Sequence, residues 1–218
     1  VTSSLAKYLR HYEDLLLIMA SMAIVSLLGF VLLPVITGTL STDEFAFYEL
    51  YRVGLALMQG VLLFGGNSIF ASKLNTWLPQ EKQNYIWNLY AIALLISVLF
   101  CFIISVDYFC HLRQFNQHGL GILLIATAFF QVGYALRNAE FLYNRKIKKY
   151  FIFTVALPAV NLALVGILSQ LGSINLHNVL CCLLVASAAM FFVGTTGLNF
   201  TSNAFNFINF NEMKNVFL

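Results

Sequence analysis

Six long apolar runs, joined by short polar connections, constrain this chain more than any other feature of it. They lie at about Leu15–Ile36, Phe45–Ala71, Ile86–Val106, Gly119–Tyr143, Phe151–Leu171 and Asn178–Leu198. About 20 mostly apolar residues carry a helix across the hydrocarbon core of a bilayer, and each run reaches that length. A membrane β-barrel would instead show strands of about ten residues with strict in-out alternation, and these runs do not alternate. The first run has a long polar lead-in and no cleavage signature, so it reads as a span and not as a secretory leader. The expected fold is therefore all-α, a polytopic membrane protein of six transmembrane helices. Composition agrees: 60% of the residues are hydrophobic and 10% charged, against roughly 25% charged in soluble domains.

The connections set the orientation. Lys7, Arg10, Lys73, Lys82, Arg145, Lys146, Lys148, Lys149 and Lys214 fall on one side of the membrane and Arg113 alone on the other. Basic residues are retained in the cytoplasm, so the N-terminus is expected there. A net charge of +3, spread over such clusters, gives no sign of a nucleic-acid partner. The connections are too short to hold a soluble catalytic domain, so the chain is not expected to be an enzyme. Cys101, Cys110, Cys181 and Cys182 follow no metal or redox spacing and read as small buried hydrophobes. His11, His111, His118 and His177 lie at segment ends, far apart in sequence, and no metal or cofactor is expected.

Polar residues inside the spans are the candidates for function, because charge in a membrane interior is costly. Arg52 and Arg137 are the two basic residues well inside spans. Each has a glutamate three residues away, Glu49 and Glu140, on the same helix face. At helical spacing Tyr48, Arg52, Gln59 and Gly66 form one stripe on the second span. Gln131, Tyr134, Arg137 or Asn138, and Phe141 form one on the fourth. On the fifth span Thr154, Pro158 and Asn161 share a side, and Pro158 permits a kink. Spans two, four and five are thus expected to face inward. Both arginines lie near enough to a membrane face to snorkel to headgroups, but the glutamines and tyrosines continue their stripes deeper and favour a cavity. Spans one, three and six are more uniformly apolar. Their small residues Ser21, Ser26, Gly29, Ser187 and Ala188 are expected at helix contacts.

Three stretches resemble a known family. "TGTLSTDEFAFYELYRVGLALMQGVLLFGGNSIFASKL" is similar to the first loop and second helix of bacterial polysaccharide flippases, with Phe45, Phe47, Tyr48, Gly65, Gly66 and Lys73 in the matching places. "FFQVGYALRNAEFLYNRKIKKYFIFTVALPAVNLAL" looks like their fourth helix, basic loop and fifth helix. "NEMKNVFL" resembles the cytoplasmic lead into a seventh helix. The family is that of the O-antigen (Wzx-type) transporters, in the multidrug/oligosaccharidyl-lipid/polysaccharide superfamily. Ala46 stands where the family usually has glycine.

The resemblance implies that residues 1–198 form the N-terminal six-helix lobe of a MATE-like transporter and that 199–218 lead toward a seventh helix, with further spans to follow. A natural six-span half-transporter that dimerises is the alternative. The implied activity is alternating-access flipping of undecaprenyl-pyrophosphate-linked oligosaccharide across the bacterial inner membrane, for O-antigen, capsule or exopolysaccharide synthesis. Arg52 and Arg137 would meet the diphosphate, and Gln59, Gln131, Tyr134 and Asn161 the sugar hydroxyls. Implied partners are membrane lipids, a polysaccharide polymerase and a chain-length regulator, with H+ or Na+ coupling left open. Rival readings are a drug/cation antiporter of the same superfamily, a membrane-embedded polysaccharide-synthesis enzyme, and a non-transporting scaffold.

Overall fold

Apolar length turns into helix wherever backbone polar groups must be satisfied without water. The computed structural model describes residues 2–63, 79–109 and 118–196, and among these there is no strand. Six helices follow in order: α1 (Thr2–Thr37), α2 (Thr42–Leu63), α3 (Pro79–Phe109), α4 (His118–Tyr143), α5 (Ile147–Gln170) and α6 (Leu176–Thr195). All but α2 contain a stretch long and apolar enough to cross a membrane. The chain is thus an all-helical, multi-pass membrane protein.

The second expected span, 45–71, is only partly visible in this count. Its described portion is α2, which carries Asp43, Glu44, Glu49 and Arg52 in its first half. Residues 64–71, with Gly65 and Gly66, lie outside the described residues, as do Lys73, Cys110, Arg113 and the stretch 199–218.

The helices run past the apolar runs because polar caps close their ends. The expected loop "TGTLSTDE" ends three residues early, for Thr42, Asp43 and Glu44 are already helical. Ser41 and Glu44 form a capping box: the Glu44 carboxylate accepts from the Ser41 backbone N–H at 3.0 Å and from its hydroxyl at 2.9 Å, and the Glu44 N–H donates to Ser41 Oγ at 3.3 Å. These bonds satisfy amide donors that the first helical turn leaves free.

Two tight turns share one design. After α4, the Lys146 N–H bonds the Phe141 carbonyl and the Arg145 N–H the Leu142 carbonyl; after α5, Ser173 and Gly172 do the same to Leu168 and Ser169. Both are Schellman motifs, whose left-handed position is filled by Gly172 (φ 64°) in one and by Arg145 (φ 55°) in the other. Glycine has no Cβ to clash there, whereas arginine pays for the turn in backbone strain.

α4 is the centre of the bundle, packed against α2, α3, α5 and α6, whereas α1 rests chiefly on α5 and barely touches α2. Close approach fixes the α4–α6 contact. A Cβ at Gly133 would overlap the Phe191 ring, and one at Gly194 would stand 3.0 Å from Phe153 and 3.3 Å from Arg137 Cγ. Ser21 and Ser187 are fully buried, as the small-residue reading expects, but Ser26 and Gly29 line an open groove, and Gly29 has nothing near its Cβ position. Cys182 is buried, while Cys101 and Cys181 are half-buried.

Candidate functional site

A cavity of about 700 Å³ opens between α1 and α2 and is floored by α4 and α5. Five of the six residues singled out from sequence line it: Arg52, Gln59, Gln131, Tyr134 and Asn161. α1 supplies a long apolar wall that includes Phe30, Leu33 and Ile36. The even apolarity of that helix suggested only packing. No Asp or Glu lines the cavity among the described residues.

Polar side chains on the floor are tied across helices. The Gln59 amide donates to Gln131 Oε1, and the Gln131 amide donates to Ser187 Oγ at 3.1 Å. Ser187 in turn donates to the Leu183 carbonyl at 2.7 Å. One thread therefore joins α2, α4 and α6 at mid-bundle. Parallel to it, the Tyr51 hydroxyl donates to Thr127 Oγ1 at 2.9 Å, and the Tyr90 hydroxyl to the Gly133 carbonyl at 3.1 Å. Such bonds within a membrane contribute about 0.6 kcal/mol each on average. Their larger effect is to fix which faces meet.

The floor continues onto α5. Pro158 has no N–H, so the Thr154 carbonyl four residues earlier lacks its helical donor. The Tyr134 hydroxyl donates to that carbonyl at 3.3 Å, and the Thr154 hydroxyl donates to Asn138 Oδ1 at 3.1 Å. A turn beyond Pro158 sits Asn161, 7% exposed, with its Oδ1 buried and without a hydrogen-bond partner. An amide oxygen left so costs about 1–3 kcal/mol.

The two arginines part company. Arg52 stands at the cavity with Nη1 3.0 Å from Glu49 and its guanidinium over the Tyr48 ring, 5.9 Å from the centroid. Arg137, expected from sequence at the same cavity, is not among the residues that line this one. It is ion-paired to Glu140, lies over Phe141 at 4.9 Å from the ring centroid, and rests against Gly194 of α6. The reason is helical register. At about 100° per residue, Arg137 falls about 120° from Gln131, while Asn138 falls about 20° away and carries the stripe on.

Sequence reading missed Tyr51, Tyr90 and Thr127. Thr127 is one turn before Gln131 on α4 and could have been found by extending that stripe backward. Ser187 was read for its size and also serves as a hydrogen-bonding link. Comparison with protein-family models, with curated proteins and with solved structures finds no match to this chain.

Proposed function

We propose that the chain belongs to a flippase that moves undecaprenyl-pyrophosphate-linked oligosaccharide across the bacterial inner membrane, with its N-terminus in the cytoplasm. One observation carries this reading: a cavity within a membrane bundle that combines an arginine at its side, a floor of neutral amides and hydroxyls, and no lining carboxylate among the described residues. A diphosphate calls for a cation with a planar, bidentate fork, which Arg52 offers. Sugar hydroxyls call for neutral donors and acceptors, which Gln59, Gln131, Tyr134 and Asn161 offer. The prenyl tail needs an apolar exit, and the weak contact between α1 and α2 provides one. A drug/cation antiporter is less well served, since an organic cation would find Arg52 in the cavity and no lining carboxylate among the described residues.

The test is made in cells that depend on the protein for surface polysaccharide. Removing it is expected to leave lipid-linked oligosaccharide in the inner leaflet and to abolish surface polymer. Arg52→Ala is expected to cut export at least about tenfold, the equivalent of losing about one charge-assisted hydrogen bond. Wild-type export by Arg52→Ala, or surface polymer that persists without the protein, rejects the reading.

A further inference from the structure

The turn between α4 and α5 holds Arg145, Lys146, Lys148 and Lys149, and all four are exposed. Of the four, Lys148 alone has a carboxylate within ion-pair distance among the described residues, Glu13 of α1 at 3.7 Å, and both side chains of that pair are well exposed. The turn after α5 has the same backbone design, carries no charge in residues 169–173 and places Gly172 at its left-handed position. Here an arginine stands at that position, at φ 55°, so a cation is kept where glycine would relieve strain. The turn also stands between two apolar stretches of membrane length, Gly119–Tyr143 and Ile147–Gln170, which is the depth of lipid headgroups. Tyr143 and Tyr12 of α1 are exposed, and tyrosine favours that depth. One helical turn deeper, Ile152 lies on the face of Lys148 and Leu16 on the face of Glu13. Both are exposed, so an apolar surface continues inward from the charges.

We infer that this turn and the adjoining outer faces of α1 and α5 form a docking surface for an anionic phospholipid, with the four cations around its headgroup phosphate and its acyl chains along Ile152 and Leu16. The inference goes beyond the proposed function, since it holds whatever the cargo. Orientation in a membrane needs only the number of basic residues on each side. A docking surface needs them exposed, held on one hydrogen-bonded turn and continuous with an apolar face. This cluster meets all three conditions, whereas Lys82 of α3 stands half-buried and away from the cluster in sequence. The acidic residues nearby are Glu13 and Asp14 of α1, which four cations outweigh, and Glu140 is taken by Arg137. Phosphatidylglycerol brings a net negative charge to this surface, whereas phosphatidylcholine brings its own cation as well. A soluble polyanion would be drawn by the same charge but would leave the apolar face unused.

The test is native mass spectrometry of the full chain in neutral detergent, titrated with dioleoyl phosphatidylglycerol. Dioleoyl phosphatidylcholine is the control with the same chains and no net charge, and glycerol 3-phosphate is the control without chains. Phosphatidylglycerol is expected to bind at least about 25-fold more tightly than phosphatidylcholine, and glycerol 3-phosphate far more weakly than either. Lys148→Gln combined with Lys149→Gln is expected to weaken phosphatidylglycerol binding about 25-fold, about fivefold for each lysine, and to leave phosphatidylcholine unchanged. Arg145→Gly removes a charge but also relieves the left-handed position, so binding is expected to fall about fivefold in a protein that unfolds no earlier than wild type. A loss of binding there is not a loss of fold. Lys82→Gln is expected to leave the preference as it is. The inference is overturned by equal affinity for the two lipids, or by phosphatidylglycerol binding unchanged in the double variant or in Arg145→Gly. It is equally overturned by the same loss from Lys82→Gln, which makes the attraction one of diffuse charge. Glycerol 3-phosphate binding as tightly as the lipid also overturns it, leaving a site for a free anion.

Discussion

Arg52 and Glu49 sit three residues apart on α2 with side chains 54% and 41% exposed; Arg137 and Glu140 sit three residues apart on α4 at 11% and 16%. The motif is the same and the surroundings are opposite. In the first pair, the arginine keeps much of its surface open toward a cavity, so its charge is available to a visitor. In the second, the helices close over both partners, and the charge is spent holding the protein together. Arg137 also has a buried Nε without a hydrogen-bond partner, so its guanidinium depends heavily on Glu140 and on the face of Phe141. An ion pair inside a membrane bundle thus marks a candidate site only when part of it remains reachable.

Removing the glutamates separates the two pairs most sharply. Glu140→Ala strands a largely buried cation and is expected to destabilise the bundle by on the order of 3 kcal/mol. Glu49→Ala is expected to cost under about 1 kcal/mol, as for an exposed pair. Unfolding of the two variants in lipid nanodiscs measures both, and equal losses would break the comparison. Next in size is the wall behind Arg137. Gly194→Val drives a side chain against Phe153 and the Arg137 stem and is expected to cost about 1–3 kcal/mol. The same change at Gly60 of α2, which has nothing within 4 Å, serves as the control in the same unfolding measurement.

The smallest effect lies at the exposed start of α2, ahead of Arg52. Bonds from Ser41 hold the Glu44 carboxyl below its ordinary value of 4.5. A carboxyl whose folded value is depressed stabilises the fold above its unfolded value and loses that contribution as pH falls through the folded one. The hydrogen-exchange protection factor in the first turn of α2, taken relative to the intrinsic rate at each pH, is therefore expected to fall as pH drops below 4.5. Glu44→Gln should flatten that dependence. The start of α4 serves as the comparison, since it has no acidic residue in its first turn.

Long apolar runs announce helices plainly, and all six runs contain or overlap a helix. Their ends were less legible. "STDE" reads as a connection by polarity, yet Ser41 and Glu44 make it the start of a helix. The cavity floor was legible because a polar residue in lipid needs a reason, and Gln59, Gln131, Tyr134 and Asn161 had none in their own helices. Arg137 was not, because an arginine and an asparagine stand side by side and one residue turns a helix by about 100°. Partners were also hidden. Gln59 and Gln131 are 72 positions apart, and only the packing of α2 on α4 joins them. The role of α1 was hidden for a further reason, since a helix apolar on every side carries no mark of the face it turns inward.

Lys148 at the start of α5 lies 3.7 Å from Glu13 of α1, with both side chains well exposed. As a bond it contributes little, but it marks a level. From Glu13, α1 continues to Thr37, and from Lys148, α5 continues to Gln170, rises of about 36 Å and 33 Å. Two parallel helices thus start at one level and end near another, at a separation slightly greater than the roughly 30 Å of hydrocarbon. The pair acts as a gauge for the membrane it sits in. A thinner bilayer would draw Glu13 and Lys148 out into water or tilt both helices together, and the cavity that α1 walls and α5 helps to floor would tilt with them.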